Sequence, residues 1–89
     1  MFDKIIYISD QGANIKLKED TEVAINLMNL HLIFEDNDKT ILGEVDDLED
    51  GVVKARFLGE IVNGKLIGGV LRKPSLDAKI RVIKQEEIP

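Results

Sequence analysis

The chain contains no cysteine. That removes disulfides, thiolate zinc sites and cysteine nucleophiles together, and it suits a reducing cytoplasm. No apolar run approaches the ~18 residues that a membrane-spanning helix needs, so no membrane is expected among the partners. Residues 1–9 mix acid and base around a short apolar run, which is not the pattern of a signal peptide. Aromatic side chains are scarce: Phe2, Tyr7, Phe34 and Phe57 are the whole set. Phe34 and Phe57 fall on expected core faces, which leaves little for nucleic-acid bases to stack on. His31 is the only histidine, and Ser9 and Ser75 are the only serines. Without cysteine, a zinc site on His31 would have to be completed by carboxylates, which is rare. His31 alternates with Leu30 and Leu32, so it is expected to point outward, with no serine placed beside it as a nucleophile. No catalytic, cofactor-binding or metal-ligating residue is expected in this chain.

What is present suffices for one folded unit. Of the 89 residues, 44% are apolar, and a domain of this size buries roughly 60–65% of its unfolded surface. The whole chain, 1–89, is read as a single domain. The net charge of −5 conceals an asymmetry: residues 35–50 hold eight acids against Lys39, whereas residues 51–89 hold eight bases against four acids. Acidic and basic halves of this kind are either solvated strand ends or a partner surface.

Apolar residues alternate with period two over most of the chain, the pattern of half-buried strands. Ile5-Ile6-Tyr7-Ile8 is apolar on both faces and is expected to be well covered. Gln11-Gly12-Ala13-Asn14 reads as a turn, followed by Ile15 and Leu17 on one face. Leu30, Leu32 and Phe34 form the next face, then a polar turn over Glu35-Asp36-Asn37-Asp38. Ile41, Gly43 and Val45 lead to a turn at Glu49-Asp50-Gly51. Val53, Ala55, Phe57 and Ile61 are assigned one face of a long strand, and Ile80 and Val82 a last short strand. Val23, Leu27 and Leu30 fit a helical turn, so one short helix is expected within Thr21 to Asn29. Asn63-Gly64 is the strongest local signal, because both residues accept the positive φ of a type I′ hairpin. That turn pairs Ile61 with Leu66, Gly59 with Gly68 and Phe57 with Val70, and is expected to be the tightest hairpin of the fold. Many short strands joined by Gly, Asn and Asp turns predict an all-β fold, a small closed or nearly closed barrel of about six strands.

Two motif matches fail on chemistry. Gly59 to Lys65 fits the first seven positions of the phosphate-binding pattern GxxxxGK[ST], but Leu66 replaces the hydroxyl that binds magnesium and Gly68-Gly69 follows where a helix must open. A calcium loop begun at Asp46 puts Leu48 at a ligand position and Phe57 where a bidentate glutamate is required; one begun at Asp36 puts Ile41 where glycine is required. Lys84 to Pro89 is polar and reads as the start of a linker in an excised N-terminal fragment.

The ordered strand motifs resemble a known family. His31-Leu32-Ile33-Phe34-Glu35-Asp36, Ile41-Leu42-Gly43-Glu44-Val45, Val53 through Ile61, Arg72-Lys73-Pro74-Ser75-Leu76-Asp77-Ala78-Lys79-Ile80 and Glu86-Glu87-Ile88 are similar in order and spacing to the HAS-barrel, the N-terminal domain of HerA-type ATPases of the FtsK–HerA group. The family's glycine after the proline is replaced here by Asp77-Ala78. The resemblance covers roughly residues 30–88. It implies a non-catalytic barrel that helps a hexameric, cytoplasmic DNA translocase assemble, with other ring subunits and a nuclease or effector as partners. It places ATP and magnesium only in a parent motor domain beyond residue 89. Ile41 to Leu48 also suits the strand of a PRC-barrel, a module of RNA or ribosome maturation. An OB-like nucleic-acid-binding barrel is the third reading.

Overall fold

Alternating apolar residues and two-residue turns fold the chain into seven strands among the described residues. The structure, a computed structural model, describes residues 2–19, 30–68 and 72–83. The strands are β1 (Phe2–Ile8), β2 (Gly12–Leu17), β3 (His31–Asp36), β4 (Lys39–Glu49), β5 (Val52–Val62), β6 (Lys65–Gly68) and β7 (Lys79–Ile83). They form one antiparallel sheet in the order β1-β2-β5-β4-β3-β7, with β6 continuing the β2 side of β5. The expected all-β class and six-strand path are both present. The sheet curls strongly into a half-barrel, compatible with a small, nearly closed barrel. The helical turn expected in Thr21 to Asn29 lies outside the described residues, as do Val70 and the segment 84–89.

The hairpin at Asn63-Gly64 forms as expected, with φ of 52° and 77°. Ile61 pairs with Leu66, and Gly59 with Gly68. It is not uniquely tight. Asp50-Gly51 has φ of 54° and 75° and joins Glu49 to Val52, which face each other directly. It is a second two-residue turn of the same kind.

The core sits inside the curl. Ile5, Ala13, Ile15, Leu17, Leu32, Phe34, Ile41, Val45, Val53 and Ala55 form its buried centre. The Phe34 and Phe57 rings meet edge to face at 5.3 Å and 86°, the geometry that ring quadrupoles favour. Gly43 makes room for this pair: a Cβ there would lie 2.9 Å from Phe34 Cε1 and 3.1 Å from the Arg56 carbonyl oxygen.

Bulges decide which residues reach this core. Gly43 pairs with Phe57 but Leu42 with Gly59, so Leu58 is an extra residue in β5. The bulge reverses the alternation beyond it. Phe57 packs on the main core, while Leu58 and Ile61 pack on a second cluster of Ile33, Leu42 and Ile83. The expectation that Val53, Ala55, Phe57 and Ile61 share one face is corrected on this point. Asp46 is likewise extra in β4, and the shift returns Leu48 to the main core.

Gly59 and Gly68 face each other across the β5–β6 hairpin but differ in surroundings. A Cβ on Gly59 would overlap the Ile67 carbonyl oxygen, whereas one on Gly68 would meet nothing within 4 Å. Gly59→Ala should therefore lower stability by about 1–3 kcal/mol, the usual cost of overpacking. Gly68→Ala should be neutral within about 0.5 kcal/mol. Urea unfolding of the two variants checks this, and equal effects would contradict the close approach of Gly59 to the β6 backbone.

Candidate docking site

The residues that distinguish this surface lie at the open side of the half-barrel. Two bulges shape β1. Phe2 pairs with Leu17 and Lys4 with Lys16, leaving Asp3 extra; Ile5 pairs with Ile15 and Tyr7 with Asn14, leaving Ile6 extra. Phe2, Ile5 and Ile8 thus all reach the core, at a spacing of three rather than two. Ile6 and Tyr7 are turned out, 45% and 57% exposed. The expectation that Ile5 to Ile8 is covered on both faces is corrected for these two residues. The signal was present in the sequence as a strand apolar on both sides.

Opposite β1 runs the segment 72–78, which crosses from the β6 side to β7. Acidic residues hold it down. Asp36 Oδ2 accepts the Ser75 N–H at 2.9 Å, and Asp36 Oδ1 accepts the Asn37 N–H at 2.8 Å. Arg72 bridges Asp38 at 2.9 Å and Glu60 at 3.3 Å. The Ser75 carbonyl accepts the Ala78 N–H at 3.1 Å, and Pro74 is buried. So anchored, the segment presents Leu76, 58% exposed. Ile6, Tyr7, Ile8, Lys73, Pro74, Ser75 and Leu76 line one groove of about 390 Å³. A second cleft of about 530 Å³ lies between Phe2 to Ile5 of β1 and Leu76 to Ile80. Leu76 lines both.

The acids of residues 35–50 are largely used within the chain. Glu44 accepts from Arg56 at 2.8 Å and faces His31 Nε2 at 3.4 Å. Asp46 lies 3.5 Å from Arg56, Glu49 lies 3.9 Å from Lys54, and Glu35 lies 3.1 Å from Arg81. Asp47 and Asp50 alone of the eight have no cation within reach among the described residues. His31 is half-buried on β3 beside Glu44 rather than fully outward. Neither serine is a free hydroxyl: Ser9 Oγ accepts the Gln11 and Gly12 N–H groups, and Ser75 Oγ accepts that of Asp77. The Gly59 to Lys65 segment is a hairpin, and Lys65 opens β6 rather than a helix. Among the described residues no group of three or more His, Asp or Glu is placed to hold a metal ion.

Comparison with family models, with curated proteins and with solved structures gives no match to this chain. The reading of the site therefore rests on its geometry.

The anchors are charge-dependent. The Ser75 N–H, and next the Asn37 N–H, hold Asp36 below the ordinary aspartate range. The Arg72 guanidinium does the same for Asp38, helped by the charge of Lys39. A carboxylate depressed on folding contributes stability that is complete above its unfolded pKa and is lost as pH falls through its folded pKa. The loss should come below roughly pH 4. In an NMR titration the Ser75 amide proton should move as Asp36 protonates, with its midpoint below the ordinary aspartate value. Asp36→Asn should leave that resonance flat. A midpoint at or above the ordinary value would remove the anchor.

Proposed function

We propose that the chain is a non-catalytic docking and assembly barrel. In this reading it is the N-terminal module of a HerA-like, hexameric, cytoplasmic DNA-translocating ATPase. The observation that carries the docking role is the exposed apolar groove of Ile6, Tyr7 and Leu76 at the open side of the sheet. Apolar surface held out by a rigid backbone and rimmed by polar residues marks sites of protein contact. The order of motifs from His31 to Ile80 supports the HerA reading, and those motifs fall on β3, β4, β5, the crossing segment and β7. Other ring subunits, with a nuclease or effector, are the partners in this reading.

Electrostatics favour a protein partner over nucleic acid. A net charge of −5 gives no long-range attraction to phosphate. Arg56, Arg72 and Arg81 are each engaged with carboxylates of the chain itself. Docking through an apolar groove also explains why the pairing of acids with bases inside the chain does not deprive it of a contact surface.

The test is sedimentation of the full-length protein. Deleting residues 1–89, or introducing Tyr7→Glu, should shift the ring toward smaller species. The isolated chain should show no saturable binding of Mg-ATP by calorimetry, nor of single- or double-stranded DNA or RNA by anisotropy at low salt. Unchanged assembly after deletion, with tight nucleic-acid binding by the lone chain, would favour the RNA-associated barrel instead.

A further inference from the structure

Side chains, not backbone, give the groove between β1 and the crossing segment its character. One wall is Lys73, Pro74, Ser75 and Leu76, and the other is Ile6, Tyr7 and Ile8. Pro74 has no N–H to donate, and the Ser75 N–H is already given to Asp36. The β1 wall is bulged at Ile6, which interrupts its row of backbone groups. Neither wall offers the regular donors and acceptors that strand pairing needs. What the groove does offer is exposed apolar surface from Ile6, Tyr7 and Leu76. Beside it stands one cation, Lys73, the single charged residue in the lining.

That charge is uncompensated. Lys39, Lys54, Arg56, Arg72 and Arg81 all face carboxylates of the chain. Lys73 is exposed and has no carboxylate within reach among the described residues. An ammonium next to apolar surface favours a visitor that brings both an apolar side chain and an anion.

We propose that this groove binds an acidic, apolar segment of a partner protein. Its apolar side chains lie against Ile6, Tyr7 and Leu76, and a carboxylate sits on the Lys73 ammonium. This rests on the docking reading above and specifies the chemistry of the occupant. A second copy of this barrel does not fit the description. The chain's other group of exposed apolar side chains among the described residues is Val62, Leu66 and Ile67, on the hairpin of β5 and β6. That hairpin carries Lys65, and its Glu60 is already held by Arg72. Docking it would bring Lys65 toward Lys73 with no acid to compensate. The net charge of −5 works against any acidic visitor at long range. Discrimination therefore comes from Lys73 at contact distance.

Two capped peptides probe this, acetyl-Leu-Phe-Leu-Asp-Asp-amide and acetyl-Leu-Phe-Leu-Lys-Lys-amide. Each is titrated into the isotopically labelled chain to about 2 mM, a range that detects weak binding. The acidic peptide should give saturable shifts confined to residues 6–8 and 72–76. The basic peptide should bind about three- to tenfold more weakly, the range for exchanging an exposed attractive ion pair for a repulsive one. Lys73→Glu should reverse the order of the two peptides. Lys65→Glu changes the net charge equally and should leave the order as it was. If Lys73→Glu unfolds the chain, Lys73→Gln carries the test, and the two peptides should then bind alike. No saturable shift, equal affinities for the parent chain, or the same reversal in Lys65→Glu overturns the acidic occupant. So does self-association of the isolated chain that Tyr7→Glu abolishes. Any of these results with ring assembly still weakened by Tyr7→Glu leaves the docking role standing with a different occupant. Intact rings in Tyr7→Glu would remove the docking role of the groove itself.

Discussion

The edge-to-face contact of Phe34 with Phe57 is the interaction on which the curl of the sheet depends. Phe34 stands on β3 and Phe57 on β5, with β4 between them. The rings can touch only if the intervening strand offers no side chain at that level, and Gly43 meets this condition. A Cβ at 43 would wedge the rings apart and flatten the sheet across its three central strands. A flatter sheet would draw β2 and β3 away from the shared core, and with them the end strands. Aromatics are few in this chain, and two of the four are committed to this contact.

Bulges convert that curl into a surface. Leu58 and Asp46 let β4 and β5 bend without losing their apolar facing. Asp3 and Ile6 do the same for β1, and in doing so turn Ile6 and Tyr7 outward. One device therefore serves both packing and display. Each extra residue costs a ladder position, but it lets Phe2, Ile5 and Ile8 face inward together. The crossing segment is held by a different means, carboxylates accepting from Ser75 and Arg72. The two walls of the groove are thus fixed by unrelated interactions, apolar packing on one side and charge-assisted hydrogen bonds on the other.

Most of the strand set was legible in the sequence, because alternation and turn chemistry act locally. Asn63-Gly64 specifies its own hairpin, and the pairing of Gly59 with Gly68 follows by counting outward from it. Counting fails at the first bulge. Nothing local distinguishes Leu58 from its neighbours, so alternation alone places Phe57 and Ile61 on one face although they occupy two. The outward turn of Tyr7 was hidden for the same reason. Covered and displayed apolar residues have the same composition, and only the register of β1 on β2 separates them. The Asp36–Ser75 and Asp38–Arg72 contacts join residues more than thirty positions apart. No spacing rule reaches across that distance, and those acids read only as a solvated turn.

The topology also orders the assembly of the chain in time. β3, β4, β5 and β6 form an unbroken meander linked by two-residue turns, so their contacts are local and close little loop. β7 must find β3 from more than forty residues away, and β2 must find β5 across a comparable span. Loop-closure entropy delays such distant pairings. The meander is therefore the natural folding nucleus, and the two ends of the sheet join it last. Elements that add late are commonly the ones that open most readily in the native state. The end strands β1 and β7 then lie where the molecule is easiest to part, so they can open locally without loosening the Phe34–Phe57 centre.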